Sequence, residues 1–121
     1  MAESKQYVTQ NQDHGTVMIS EDVISAIVSR AVVEVDGVAG LDVKPGADIA
    51  ELIGKNWGTG IKITIGQRNE LYIDCNITIF YGQSVIAVSK AVQNAVKNAL
   101  EAMAGVTIAE INVNVCGIVQ Q

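Results

Sequence analysis

The stretch from Leu71 to Met103 limits what this chain can become more than any other. Leu71, Ile73, Cys75, Ile77, Ile79 and Tyr81 alternate with Tyr72, Asp74, Asn76, Thr78 and Phe80. A period of two residues is that of a strand with one apolar face. Gly82-Gln83-Ser84 ends the strand, and the Ser84 hydroxyl is suited to cap a helix start. Val85, Val88, Val92, Val96, Ala99 and Met103 then fall along one helical arc, widened by Ala87, Ala91 and Ala95. Lys90, Gln93, Asn94, Lys97 and Glu101 take the opposite side, and Gly105 follows the last turn. Burying a Val or Met yields about 1.5–3 kcal/mol. Fixing a residue's backbone costs about 1–2 kcal/mol. The helix therefore needs its sheet, and the rest of the chain must complete that sheet and cover it.

In chain order, residues Met1 to Gly15 are polar and aperiodic, and are expected to form a flexible N-terminal tail with His14 near its end. Thr16-Val17-Met18-Ile19 favours a strand at a sheet edge. Ser20 reads as an N-cap, with Glu21 and Asp22 matching the dipole of a helix start. Val23, Ile24, Ile27, Val28, Ala31, Val32 and Val35 recur at helical spacing, and Asp36-Gly37 stops the helix. Leu41 to Gly60 is the least regular region: a turn at Pro45-Gly46, a short helix Ile49–Ile53 capped by Asp48, and a glycine-broken loop around Trp57. Ile61, Ile63 and Ile65 alternate with Lys62 and Thr64. Joined through Gly66–Asn69 to the strand that follows, they predict a β-hairpin. Val106 to Ile118 is the last strand. Its parity slips between Ile108 and Ile111, which predicts a bulge near Ala109-Glu110.

These elements give the order (β)αββαβ in one domain over residues 16–119. The expected fold class is α/β (α+β), a two-layer sandwich in which two main helices cover one face of a small mixed sheet of three to four strands. Right-handed crossover makes the last strand parallel to the one beginning at Leu71. The pattern leaves open whether it pairs beside that strand or beside Ile61–Ile65. A hydrophobic fraction of 49% with only 4% aromatic residues predicts an aliphatic core.

The chemistry is sparse. A net charge of −5 disfavours phosphate backbones and anionic lipid. No apolar run approaches the roughly 20 residues of a membrane span, and the N-terminus lacks the pattern of a secretory signal, so a cytoplasmic protein is expected. Cys75 and Cys116 lie in different strands without metal spacing, and with a single histidine no zinc ligand set is visible. Gly37-Val38-Ala39-Gly40 has the form of the loop with which KH domains clamp RNA, although Asp36 and Asp42 flank it with negative charge. A KH-like RNA-binding module is thus the alternative function. Asn56–Gly60 lacks the order of a phosphate-binding loop. The pattern gives Asp74 no second carboxylate as a partner. No catalytic residue, cofactor site or metal site emerges, and the chain reads as a non-enzyme. What remains is surface. With helices on one sheet face, the other carries Thr64, Tyr72, Asn76, Thr78, Phe80, Asn112 and Asn114, a polar set with two aromatics suited to a protein interface. Three or four strands also leave an open edge able to recruit another strand.

Several segments, taken in order, resemble the alkaline shock protein family, the cytoplasmic envelope stress-response proteins of Gram-positive-type bacteria. They are Gly15–Ser20 before the first helix, Val35–Leu41 after it, Ile73-Asp74, Phe80-Tyr81-Gly82, Val92–Val96, Ile111–Val115 and Gly117-Ile118. The resemblance spans roughly residues 15–119. It implies a non-enzymatic interaction or scaffold protein in cell-envelope homeostasis and stress response. It also implies self-association, or a protein partner that can itself be membrane-anchored, with no catalytic residues to assign.

Overall fold

The computed structural model describes residues 7–41 and 60–120. Its elements are β1 (Tyr7–Gln12), β2 (Gly15–Ser20), α1 (Glu21–Val33), β3 (Val38–Leu41), β4 (Ile61–Ile65), β5 (Glu70–Phe80), α2 (Val85–Met103) and β6 (Thr107–Val119). The expected turn at Pro45-Gly46, the Asp48-capped helix Ile49–Ile53 and the Trp57 loop lie outside the described residues.

The helix caps form as the sequence chemistry requires. Ser20 Oγ accepts from the Val23 N–H at 3.3 Å, and Ser84 Oγ accepts from the Ala87 N–H at 3.2 Å. Gly105, at a φ of +63°, closes α2 with its N–H on the Leu100 carbonyl. Gly37, at a φ of +98°, makes the turn from α1 into β3. A Cβ there would come within 2.8 Å of Val88 Cγ2, so the position needs glycine for both backbone and space.

β5 is the spine of a four-stranded sheet. β6 runs parallel to it over its whole length, from Glu70 opposite Thr107 to Phe80 opposite Val119. This is the pairing that the sequence left undecided. β3 and β4 both lie antiparallel to β5. A strand has two edges, so β3 and β4 share the remaining one. Leu41 stands opposite Ile77 and Ile61 opposite Cys75, and between them the Asn76 N–H donates to the Gly60 carbonyl at 2.8 Å. β3 and β4 are therefore two halves of one edge strand, interrupted by residues 42–59. The fold is α+β, with α1 and α2 on one face of a mixed sheet. Leu71, Ile73, Cys75, Ile77 and Ile79 of β5 and Ile61, Ile63 and Ile65 of β4 are buried with Ile24, Val28 and Val32 of α1 and Val88, Val92, Val96 and Leu100 of α2. On α2 the buried line runs through Leu100, not Met103. Val85 and Met103, at the two ends of α2, are exposed.

Three local expectations change. Residues 1–15 do not form a tail throughout. Tyr7–Gln12 pairs antiparallel with β2, and Val8 is fully buried. This hairpin closes one end of the sandwich: the Thr9 N–H donates to Asn69 Oδ1 (3.3 Å) and Gln10 Nε2 to the Gly105 carbonyl (3.0 Å). His14 sits in its two-residue turn. The loop expected at Gly37–Gly40 is, from Val38, a strand running to Leu41 with Val38 buried. The last strand continues past Gly117 to Val119, with two register shifts against β5. One falls at Ala109, where the parity slip predicts it, and the second at Cys116.

Candidate functional site

Alternation along β5 puts Tyr72, Asp74, Asn76, Thr78 and Phe80 on the face away from the helices. Cross-strand pairing adds Thr64 beside Tyr72, Lys62 and Asn112 beside Asp74, and Asn114 beside Asn76. Thr64, Tyr72, Asn76, Thr78, Phe80, Asn112 and Asn114 thus share one surface. Their accessibility differs. Asn112 and Asn114 are exposed, Tyr72 is 36% exposed, and Thr64, Thr78 and Phe80 are half-buried. Asn76 is only 2% exposed, so it cannot itself touch a partner. It orients Asn114 instead, whose Nδ2 donates to Asn76 Oδ1 at 3.0 Å. Asn76 Nδ2 is buried and makes no hydrogen bond with a described residue.

Acidic groups that the sequence pattern did not assign to this face also lie on it. The bulge at Ala109 brings Glu110 opposite Tyr72. Asn112 Nδ2 donates to both Asp74 Oδ1 (3.1 Å) and Glu110 Oε2 (3.0 Å), holding two carboxylates around one amide. At the strand's start, the Tyr72 hydroxyl donates to Glu70 Oε2 at 3.4 Å. Hydrogen bonds from Glu70's own backbone N–H and from Arg68's hold the Glu70 carboxyl below its usual range. The signal for Glu110 was present in the parity slip, because a one-residue bulge changes the face on which the next side chain emerges.

The described residues bring no set of reactive side chains together. Burial, with the Asp74 carboxylate adding to it, pushes the Cys75 thiol up to about 12, far from thiolate reactivity at neutral pH. No three His, Cys, Asp or Glu side chains converge as a metal site among the described residues. Gly37-Val38-Ala39-Gly40 is largely strand β3, not an open loop, and so does not present the backbone that a KH clamp requires. A cleft of about 450 Å³ lies between α1 and α2, lined by Ile27, Ala31, Val35, Ala95, Ala99 and Met103 among others. No described helix is long and apolar enough to cross a membrane.

These features define a small α+β domain whose distinguishing surface is a polar, acidic sheet face. The chain belongs to the alkaline shock protein 23 family, of cell envelope-related function, whose model matches residues 9–120. This is the family that the ordered segments resemble. The chain is 33% identical over 105 residues to the protein YqhY of Bacillus subtilis, covering 86% of this chain and 77% of that one. It is 32% identical over 107 residues to Spy1535 of Streptococcus pyogenes serotype M6, covering 88% and 81%. Among solved structures, the copper form of the MamM CTD superposes with a TM-score of 0.56 at 15% identity, over 80% of this chain and 85% of that one. The MamM CTD 215–293 gives 0.54 at 17%, over 79% and 96%. At that identity the likeness is one of fold.

Proposed function

We propose that this chain is a non-enzymatic interaction or scaffold protein that serves cell-envelope homeostasis through protein–protein contacts made from the cytoplasm. The carrying observation is the sheet face turned away from α1 and α2. It offers an exposed tyrosine, oriented asparagines and three carboxylates (Glu70, Asp74 and Glu110), with Lys62 its only basic side chain among the described residues. Aromatic groups set among fixed polar groups are typical of protein interfaces. The charge favours a partner that presents Lys or Arg and opposes nucleic acid. Such a partner can be a membrane-anchored protein, which would place the chain at the membrane periphery.

The test is crosslinking with mass spectrometry in native cells, with the wild type and a Tyr72→Ala/Phe80→Ala variant. The wild type is expected to recover a specific protein. The double variant should keep its circular dichroism and lose that protein. A folded double variant that keeps every partner would show that the face is wrong.

A further inference from the structure

The outer edge of β6 is a 13-residue strand, Thr107–Val119, with no neighbour among the described residues. Edge strands are commonly protected by lysine, proline or a covering element. This one contains neither lysine, arginine nor proline, and its one charge is Glu110.

Which of its backbone groups point outward follows from the ladder. The Asn76 and Phe80 N–H groups serve the β3/β4 side, through the Gly60 and Gly37 carbonyls. The odd-numbered residues of β5 therefore serve β6, as the Tyr81 N–H does on the Val119 carbonyl at 2.7 Å. Cys75, opposite Val113, engages the flanking Asn112 and Asn114. Ile111, Val113 and Val115 then turn their N–H and C=O groups to the free edge. Consistent with this, Gln93 Nε2 of α2 reaches down and caps the Ile111 carbonyl at 3.0 Å. Val113 and Val115 have no such cap among the described residues.

We propose that this edge pairs antiparallel with β6 of a second copy of the chain, across a two-fold axis at Asn114. The proposal rests on the interaction-protein reading and names one surface and one partner for it. In this register Val113 of each copy exchanges both backbone hydrogen bonds with Val115 of the other, giving four bonds. They use only the uncapped groups and leave the Gln93 cap in place. Asn114 faces its own copy at a non-hydrogen-bonded position, where Cα atoms approach to about 4.5 Å. Its Nδ2 has given one hydrogen to Asn76. The second hydrogen and the Oδ1 remain, which is what an Asn–Asn pair requires.

The helix layer matches. α2 starts where β5 ends and finishes where β6 begins, so it runs antiparallel to β6. Gln93 is level with Ile111. Three residues further along β6, about 10 Å, is Asn114. The same distance back along α2 is about seven residues and reaches Ile86. Ile86 shares the Gln93 flank at helical spacing and is 64% exposed. It lies over the axis, where two copies cover each other's isoleucine.

Sedimentation equilibrium of the full chain up to about 1 mM tests this together with disulfide trapping. The wild type is expected in a monomer–dimer equilibrium. Ile86→Glu should weaken it at least tenfold, while Val23→Glu, an exposed position on α1, leaves it unchanged. Asn114→Cys should yield a disulfide-linked dimer under mild oxidation, and Thr64→Cys, on the same face but the opposite edge strand, should not. The native Cys116 lies two positions off the axis, roughly 13 Å from its copy, beyond disulfide reach. A wild type monomeric at 1 mM, equal weakening by Val23→Glu, or equal trapping at Thr64→Cys each overturns the proposal. A monomer that still recovers a foreign partner in cells overturns edge pairing alone. A monomer that recovers none overturns the interaction reading as well.

Discussion

The Asn76–Asn114 pair makes an asymmetric stability prediction. Asn76 is buried in the central strand with Oδ1 satisfied by Asn114 and Nδ2 unpartnered among the described residues. Asn114 is exposed and can return to water when released. Asn114→Ala removes the hydrogen bond and leaves the Asn76 amide with neither polar atom paired. Leaving a buried acceptor unsatisfied costs about 1–3 kcal/mol. Asn76→Val removes the buried amide altogether, including a donor that is already unsatisfied, and places a β-branched residue in a central strand. Its expected effect lies between neutral and about 1 kcal/mol stabilising. The double variant should resemble Asn76→Val, because Asn114 then has nothing left to support.

Urea denaturation measures this directly, and in an Ile86→Glu background loss of edge pairing cannot add to the result. Thermal melting should separate the two single variants as well, at roughly 3–5 °C per kcal/mol for a domain of this size. Equal destabilisation by Asn76→Val and Asn114→Ala would refute the reasoning. It would mean that Asn76 Nδ2 has a partner and that the amide contributes net stability.

Gly37→Ala should cost about 2–5 kcal/mol by chemical denaturation. A left-handed backbone costs a Cβ-bearing residue about 1–2 kcal/mol, and the contact with Val88 adds an overpacking cost of about 1–3 kcal/mol. A thiol reagent at neutral pH should modify Cys116 in the native chain and Cys75 only after unfolding, since the Cys75 thiol titrates near 12; rapid native labelling of both would show the core to be open. Glu70 has a lowered carboxyl pKa in the fold, so its stabilising contribution is complete above its unfolded value of about 4.3 and disappears as pH falls through the folded value. The stability difference between wild type and Glu70→Gln should therefore shrink below about pH 4, and a difference that grew with acidity would contradict the bonds to Glu70.

The spine of the fold was legible because periodicity and burial agreed there. Leu71–Phe80 alternates cleanly, and the helix after Ser84 repeats its valines every fourth residue. The sheet face was legible for the same reason, since alternation on β5 places its even-numbered residues together. Two kinds of information were not local. β1 is polar in composition, and Val8 is its only fully buried residue. Its strand character comes from pairing with β2 and from Asn69 and Gly105, which are distant in sequence. Glu110 was left unassigned, and the depth of Asn76 unseen, for a related reason. Face assignment by parity fails across a bulge, and parity says nothing about how deep a residue sits on its face. The split of one edge strand into β3 and β4 could not be read either, because four residues ending at Leu41 carry too short a period to stand out from a turn.

The two surfaces on β6 use different atoms of the same strand. Its even-numbered residues Glu110, Asn112 and Asn114 aim side chains at the face away from α1 and α2 while committing their backbone to β5. Its odd-numbered residues Ile111, Val113 and Val115 send side chains toward the helices and backbone to the free edge. A partner on the face would read carboxylates and amides, and would be sensitive to charge and to side-chain identity. A second copy at the edge would read backbone geometry, and would be insensitive to most side chains except where Ile86 and Asn114 meet the axis. Edge pairing would leave Tyr72 and Phe80 uncovered and extend the acidic face of one copy into that of the other. Binding on that face and pairing at the edge are then compatible. A dimer would present two copies of the face side by side, which raises the effective concentration for a partner with two basic segments.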